Sequence, residues 1–249
     1  MNIEYHKWWS DHLFQDMEMK VYGSSGKPVL VFPAQGGRFF EFEDFGMVDA
    51  LSGLVEQGLY TIYTVESVDN QSWANENAHP AERARRHEQY DLYIQSEVVP
   101  FINHRHPEQK ILTTGCSMGG YHSANFFFRH PDTYDAVISL SGLFSLRRFV
   151  GDAMNENIYF NSPLDYLANL NDPWYLDQYR KSQIIICVGQ GAWEDEMRSE
   201  AGTLKHILES KSIPCWLDFW GGDVNHDWPW WRKQLPYFLG KLAERKALD

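Results

Sequence analysis

Cysteine is scarce in this chain, with three among 249 residues at positions 116, 187 and 215. That is too few, and too scattered, for a disulfide framework. Cys187 sits inside the apolar run 184–188 and reads as a small buried hydrophobe. No Cys-x-x-Cys, His-Glu-x-x-His or Cys/His cluster occurs, so no metal site is expected. Positive charge is also short: 22 Lys and Arg stand against 34 Asp and Glu, a net charge of −12. Binding to phosphate backbones or anionic lipid surfaces needs clustered cations, so neither nucleic acid nor a membrane is expected as partner. The one basic cluster, Arg83-Ala84-Arg85-Arg86-His87, reads as a solvated helix face. No apolar stretch reaches the roughly 18 residues of a membrane span. Residues 1–9 lack the basic start and apolar core of a secretory signal, which makes a cytoplasmic location the simplest expectation. Gly36-Gly37 is isolated, without G-x-G-x-x-G or Walker spacing around it, and no cofactor is expected.

What is present is apolar enough to fold: 43% hydrophobic, with aromatics at 15%. Short apolar runs predict strands over 28–33, 60–65, 111–114, 136–140, 184–188 and 215–220, after an opening strand or hairpin within 13–22. Helical stretches alternate with them at 47–57, 80–103, after residue 117, and 228–246. The alternation implies an α/β fold, a mostly parallel central sheet with helices on both faces. No linker or repeat divides the chain, so 1–249 reads as a single domain. Residues 143–178, irregular and rich in Asn, Asp and aromatics, are too long for a plain connection. They are expected to form a cap or pocket wall, with Tyr159, Phe160, Tyr166, Trp174 and Tyr175 supplying apolar surface.

The chemistry-bearing motif is Gly115-Cys116-Ser117-Met118-Gly119, a G-x-S-x-G sequence between a predicted strand and a helix-compatible stretch. Such a turn lifts a serine hydroxyl above the sheet, and flanking glycines let neighbouring backbone pass close. A serine nucleophile needs a base, and His226 lies between the last strand and last helix, where a loop can reach back over the sheet edge. His6, His12, His79 and His87 precede the serine in surface-like segments, while His122 and His130 belong to the helix after it. A third, acidic member is supplied by the loop leaving strand 184–188, where Glu194 and Asp195 are both candidates. Asp218, within a strand, and Asp223, close to His226 in sequence, stand behind them. The resulting order, serine then acid then histidine, is that of α/β-hydrolases.

These pieces, with Gly120, His130-Pro131, Ser139-Leu140-Ser141-Gly142, His226-Asp227-Trp228 and the helix from Tyr90 to Ile102, resemble the putative-esterase family of α/β-hydrolases. That family holds S-formylglutathione hydrolases, feruloyl esterases and mycolyltransferases, and the resemblance covers nearly the whole chain. It implies an oxyanion hole from the backbone N–H groups of Gln35 and Met118, although Pro33-Ala34 stands where family members often carry His-Gly or Asp-Gly. The formylglutathione-hydrolase spacing, Gln-Gly, two residues, then acid, selects Glu194; a mycolyltransferase-like register would select Asp195. The expected function is a serine carboxylic-ester hydrolase acting on small acyl or aryl esters through Ser117, His226 and Glu194. An acyltransferase using the same three residues and a non-catalytic binding module are the alternatives. A small-molecule ester is the expected partner, and homo-oligomerisation is left open.

Overall fold

The apolar runs lie side by side in one eight-stranded sheet in the computed structural model, which describes residues 1–246. Its strands are β1 (Ile3–Ser10), β2 (Gln15–Tyr22), β3 (Lys27–Phe32), β4 (Tyr60–Val65), β5 (Ile111–Cys116), β6 (Tyr134–Leu140), β7 (Gln183–Val188) and β8 (Trp216–Phe219). Their spatial order is β1-β2-β4-β3-β5-β6-β7-β8. β2 is antiparallel to both β1 and β4, and every other pair is parallel. β4 and β5 are buried at every residue, because helices cover both faces of a parallel sheet. β1 is the strand that the sequence reading did not find. It pairs with β2 from Ile3↔Tyr22 to Ser10↔Gln15, but as an edge strand it carries Glu4, His6 and Lys7, which dilute the apolar signal.

The helices are α1 (Glu41–Asp44), α2 (Met47–Glu56), α3 (Pro80–Tyr93), α4 (Val99–Arg105), α5 (Met118–Arg129), α6 (Arg147–Val150), α7 (Glu156–Tyr159), α8 (Pro163–Asn169), α9 (Pro173–Arg180), α10 (Asp195–Ser210) and α11 (Trp228–Lys246). The single helix expected over 80–103 is interrupted by a π-helical stretch, Ile94–Val98. Pro100 follows it and has no N–H to donate to the turn behind, which the wider turn accommodates. The basic cluster on α3 is a solvated face only in part, at Arg85 and Arg86. Arg83 and His87, one turn apart, point inward and are buried, so His87 does not belong to a surface-like segment.

Side chains alternate across the sheet and divide the core in two. On β7, Ile184 and Ile186 join one core with Tyr90, Tyr93, Phe126 and Leu204, under α3, α5 and α10. Ile185 faces the other, with Leu51, Leu235, Phe238 and Leu239 of α2 and α11. α5 is buried along its whole length from Met118 to Phe128, so its N-terminus is rigidly held at the carboxyl end of β5.

Residues 143–178 are less irregular than expected, forming the four short helices α6 to α9. Pro163 and Pro173 open two of them, and the Asn155 and Asp172 side chains cap α7 and α9. Tyr166 and Leu167 pack into the core beside α5, while Phe160, Tyr166 and Tyr175 line a cavity of about 520 Å³ with Glu88 and Arg129. No helix among the described residues is long and apolar enough to cross a membrane.

Candidate active site

Ser117 occupies the turn between β5 and α5 with φ +56° and ψ −118°. A non-glycine residue held there costs about 1–3 kcal/mol, so the surrounding structure must enforce it. It does so through packing and hydrogen bonds. The Ser117 N–H donates to the Leu140 carbonyl at 2.9 Å, and the Tyr121 N–H donates to the Ser117 carbonyl at 3.1 Å. The two flanking glycines are required by close approach. A Cβ at Gly119 would overlap the Phe32 carbonyl, and one at Gly115 would collide with Gly119. The thiol of Cys116, beside the serine, is buried and pushed up in pKa, which keeps it an inert part of the core.

His226 comes from the loop between β8 and α11, and its Nε2 lies 2.8 Å from Ser117 Oγ. Its ring stands edge-on to Trp231 at 5.0 Å. This loop is fastened to the loop that leaves β7. The Gly191 N–H donates to the Val224 carbonyl at 2.9 Å, the Ala192 N–H to Asn225 Oδ1 at 2.8 Å, and the His226 N–H to the Ala192 carbonyl at 3.0 Å. Gly189 and Gly191 permit the contact, since a Cβ on either would overlap Val224 or Asn225.

The same fastening settles where the two acidic candidates point. Glu194 is turned inward and 1% exposed. Its Oε1 accepts a hydrogen bond from Ser141 Oγ at 2.6 Å, and Ser141 Oγ in turn accepts one from Trp231 Nε1 at 3.1 Å. Glu194 Oε2 lies 3.6 Å from His226 Nδ1, longer than a hydrogen bond, and neither atom has another hydrogen-bond partner. Asp195 begins α10, faces solvent and pairs with Arg198 at 2.8 Å. Asp218 sits on β8 opposite Cys187, and Asp223 is exposed. Ser141 enters the sequence reading only as part of the run 139–142, with no role of its own, and the bond that joins it to Glu194 and Trp231 has no sequence signal. Ser141 directly follows β6 with a positive φ of 51°, and such a conformation has no signature in the sequence.

Ser117 and His226 open into a pocket of about 490 Å³. Gln35 and Met118 line it, as do Leu143, Phe149, Trp193 and Met197, with Arg148, Asp195 and Glu196 at the polar side. Leu143, Arg148 and Phe149 are the part of 143–178 that reaches it. Arg148 of α6 pairs with Glu196 of α10. Trp193 is 85% exposed and held at φ +68°, an unusual state for so large a side chain. Met118 is the first residue of α5, where a backbone N–H has no acceptor within the helix.

The strand order and the strained serine turn define an α/β-hydrolase. The family is then given by sequence: the model of the family described as "Putative esterase" matches residues 15–242, and the chain belongs to it. The protein is accordingly a carboxylic-ester hydrolase. No curated protein matches it in sequence. Solved structures similar to it include a ferulic acid esterase, at 17% identity and a TM-score of 0.76, with 98% of each chain covered. An S-formylglutathione hydrolase from Agrobacterium tumefaciens is similar at 13% identity and a TM-score of 0.75, covering 98% of this chain and 95% of that one. MPT51 of Mycobacterium tuberculosis is similar at 14% identity and a TM-score of 0.74, with 98% of each covered. At such identities the likeness speaks to the fold.

Proposed function

We propose that the protein is a serine esterase in which Ser117 is the nucleophile, His226 the general base and acid, and Glu194 the residue that orients His226. The observation that carries this reading is the 2.8 Å contact between His226 Nε2 and Ser117 Oγ on a strained turn facing a pocket. His226 takes the hydroxyl proton as Ser117 Oγ attacks the ester carbonyl. The resulting oxyanion is held by the Gln35 and Met118 N–H groups, assisted by the N-terminus of α5. The C–O bond to the alcohol then breaks, with His226 giving its proton to the leaving oxygen. Water, deprotonated by the same histidine, hydrolyses the acyl-enzyme and restores Ser117.

Glu194 Oε2 faces Nδ1 across 3.6 Å, so a shift of less than about 1 Å forms a charge-assisted hydrogen bond when the imidazole becomes cationic. Leu143, Phe149, Trp193 and Met197 give the pocket an apolar wall suited to small acyl or aryl groups, to which the 143–149 part of the chain contributes. Fluorophosphonate labelling of Ser117, and loss of p-nitrophenyl acetate turnover in a folded Ser117→Ala variant, test the assignment. Labelling at another serine, or an active alanine variant, refutes it. Product analysis with and without added alcohol separates hydrolysis from acyl transfer.

A further inference from the structure

The loop after β3 that carries Gln35 is built around one buried carboxyl group. Glu41, the first residue of α1, turns its side chain back under residues 34–37. The Ala34 N–H donates to Glu41 Oε2 at 2.8 Å. The Gly37 N–H donates to the Ala34 carbonyl at 2.8 Å, and the Glu41 N–H to the Arg38 carbonyl at 2.9 Å. The carboxyl group packs so closely beneath Gly37 that a Cβ there would overlap it. Gly36, at φ +73°, completes a turn that only glycine adopts easily. Gln35 is thus bracketed by two fixed N–H groups and is exposed at the pocket that contains Ser117.

We infer that Glu41 is a positioning residue, whose carboxyl group fixes the Ala34–Gly37 turn so that the Gln35 N–H faces the carbonyl oxygen over Ser117. The inference rests on the esterase reading above and explains how a chain with Pro33-Ala34 at this point forms the first oxyanion donor. The side chain also brings a titration. Burial is the largest cause, and with the nearby Asp69 charge it raises Glu41 to about 7, against the opposing Ala34 hydrogen bond. Of the other groups around it, Cys116 on β5 is neutral and buried. Arg38, in its own loop, is engaged by Glu18 and Glu66, and Glu43 is paired with Lys20. Asp69 is held by His122. A protonated Glu41 still accepts from Ala34 through its carbonyl oxygen. An ionised one adds a negative charge behind the place where the oxyanion forms, so turnover declines as pH rises through Glu41's range.

The test compares Glu41→Ala and Glu41→Gln, with kcat expressed per active site titrated by fluorophosphonate. Glu41→Ala should lower kcat about 10- to 100-fold with KM little changed, because the donor acts on the transition state. Glu41→Gln keeps an acceptor and should retain kcat within about threefold at pH 6.5. It should also lack the decline expected of the wild type above pH 7. An alanine variant with unchanged kcat per site, or a glutamine variant with the wild-type pH profile, overturns the inference. If the alanine variant does not fold, the glutamine profile decides alone. Neither result touches Ser117, whose labelling tests the esterase reading separately.

Discussion

Two acid–histidine pairs flank the serine turn, and they differ in tightness and in access. His122 on α5 and Asp69 are 2.7 Å apart, with side chains 1% and 2% exposed. His226 and Glu194 are 3.6 Å apart, and the histidine is 17% exposed. By distance alone the first pair is the better dyad. Yet His122 Nδ1 has no hydrogen-bond partner, and its ring is enclosed by His87, Tyr90, Tyr121 and Phe126. His226 instead offers its second nitrogen to Ser117 beside an open pocket. A tight pair sealed in apolar surroundings specifies structure. A looser pair at the pocket can shuttle a proton, because its geometry tightens as charge develops.

The sharpest way to break this contrast is to remove each histidine in turn. His226→Ala should lower kcat about 10⁴- to 10⁶-fold while urea unfolding stays within about 0.5 kcal/mol of wild type. His122→Ala should do the opposite: kcat per active site within about threefold, and a stability loss of about 3–5 kcal/mol from stranding buried Asp69. If His122→Ala were the inactive, stable variant, the assignment of roles would be reversed.

A smaller effect sharpens the looser pair. Glu194→Gln should cost about 10²- to 10⁴-fold in kcat, since the amide can hold the wrong imidazole tautomer. Asp195→Asn should stay within about twofold, because Asp195 lies at the polar rim of the pocket, paired with Arg198, and its carboxylate is not turned toward His226. Equal losses in the two variants would mean that the α10 N-terminus, and not one carboxylate, serves His226.

The smallest effect reads the sealed region through pH. His87 stacks on His122 at 5.4 Å, and burial is the largest cause of its pKa falling well below 6.5. Its folded form therefore stays neutral while the unfolded chain takes up a proton below pH 6.5, so its contribution to stability is lost as pH falls through that value. Buried Glu41, Glu66 and Glu200, raised mainly by desolvation, work in the opposite sense and lose stability as pH rises. A His87→Phe variant isolates the histidine. Its stability relative to wild type should improve by up to about 1.4 kcal/mol per pH unit below 6.5. A difference that does not vary with pH would place solvent or a proton acceptor at His87.

The same contrast marks how far the sequence could be read. Local pattern was enough for most strands and the serine turn: β4, β5 and β7 are short runs rich in apolar, β-branched and aromatic residues, and Gly115 and Gly119 announce a close backbone approach. His226 followed from chain order, as a loop residue after the last strand. The pairing of His122 with Asp69, 53 residues apart, left no trace in either neighbourhood. His87 looked like part of a charged surface, because Arg85 and Arg86 beside it do face outward.

The sequence by itself determined the α/β alternation, the strand-to-helix turn at Ser117 and the candidate residues around it, because helical and strand periodicity and glycine punctuation are properties of neighbours along the chain. Only the tertiary structure distinguishes Glu194, turned inward beside His226, from Asp195, which faces outward. The two differ by one residue, and their directions depend on how the loops after β7 and β8 bind through Gly191, Ala192, Val224 and Asn225. It likewise decided that Glu41 lies under Gln35, that Ser141 and Trp231 hold Glu194, and that α6 to α9 divide between pocket and core. Each of these rests on contacts between distant segments, whose energies come from burial and hydrogen bonds that exist only once the sheet has brought those segments together.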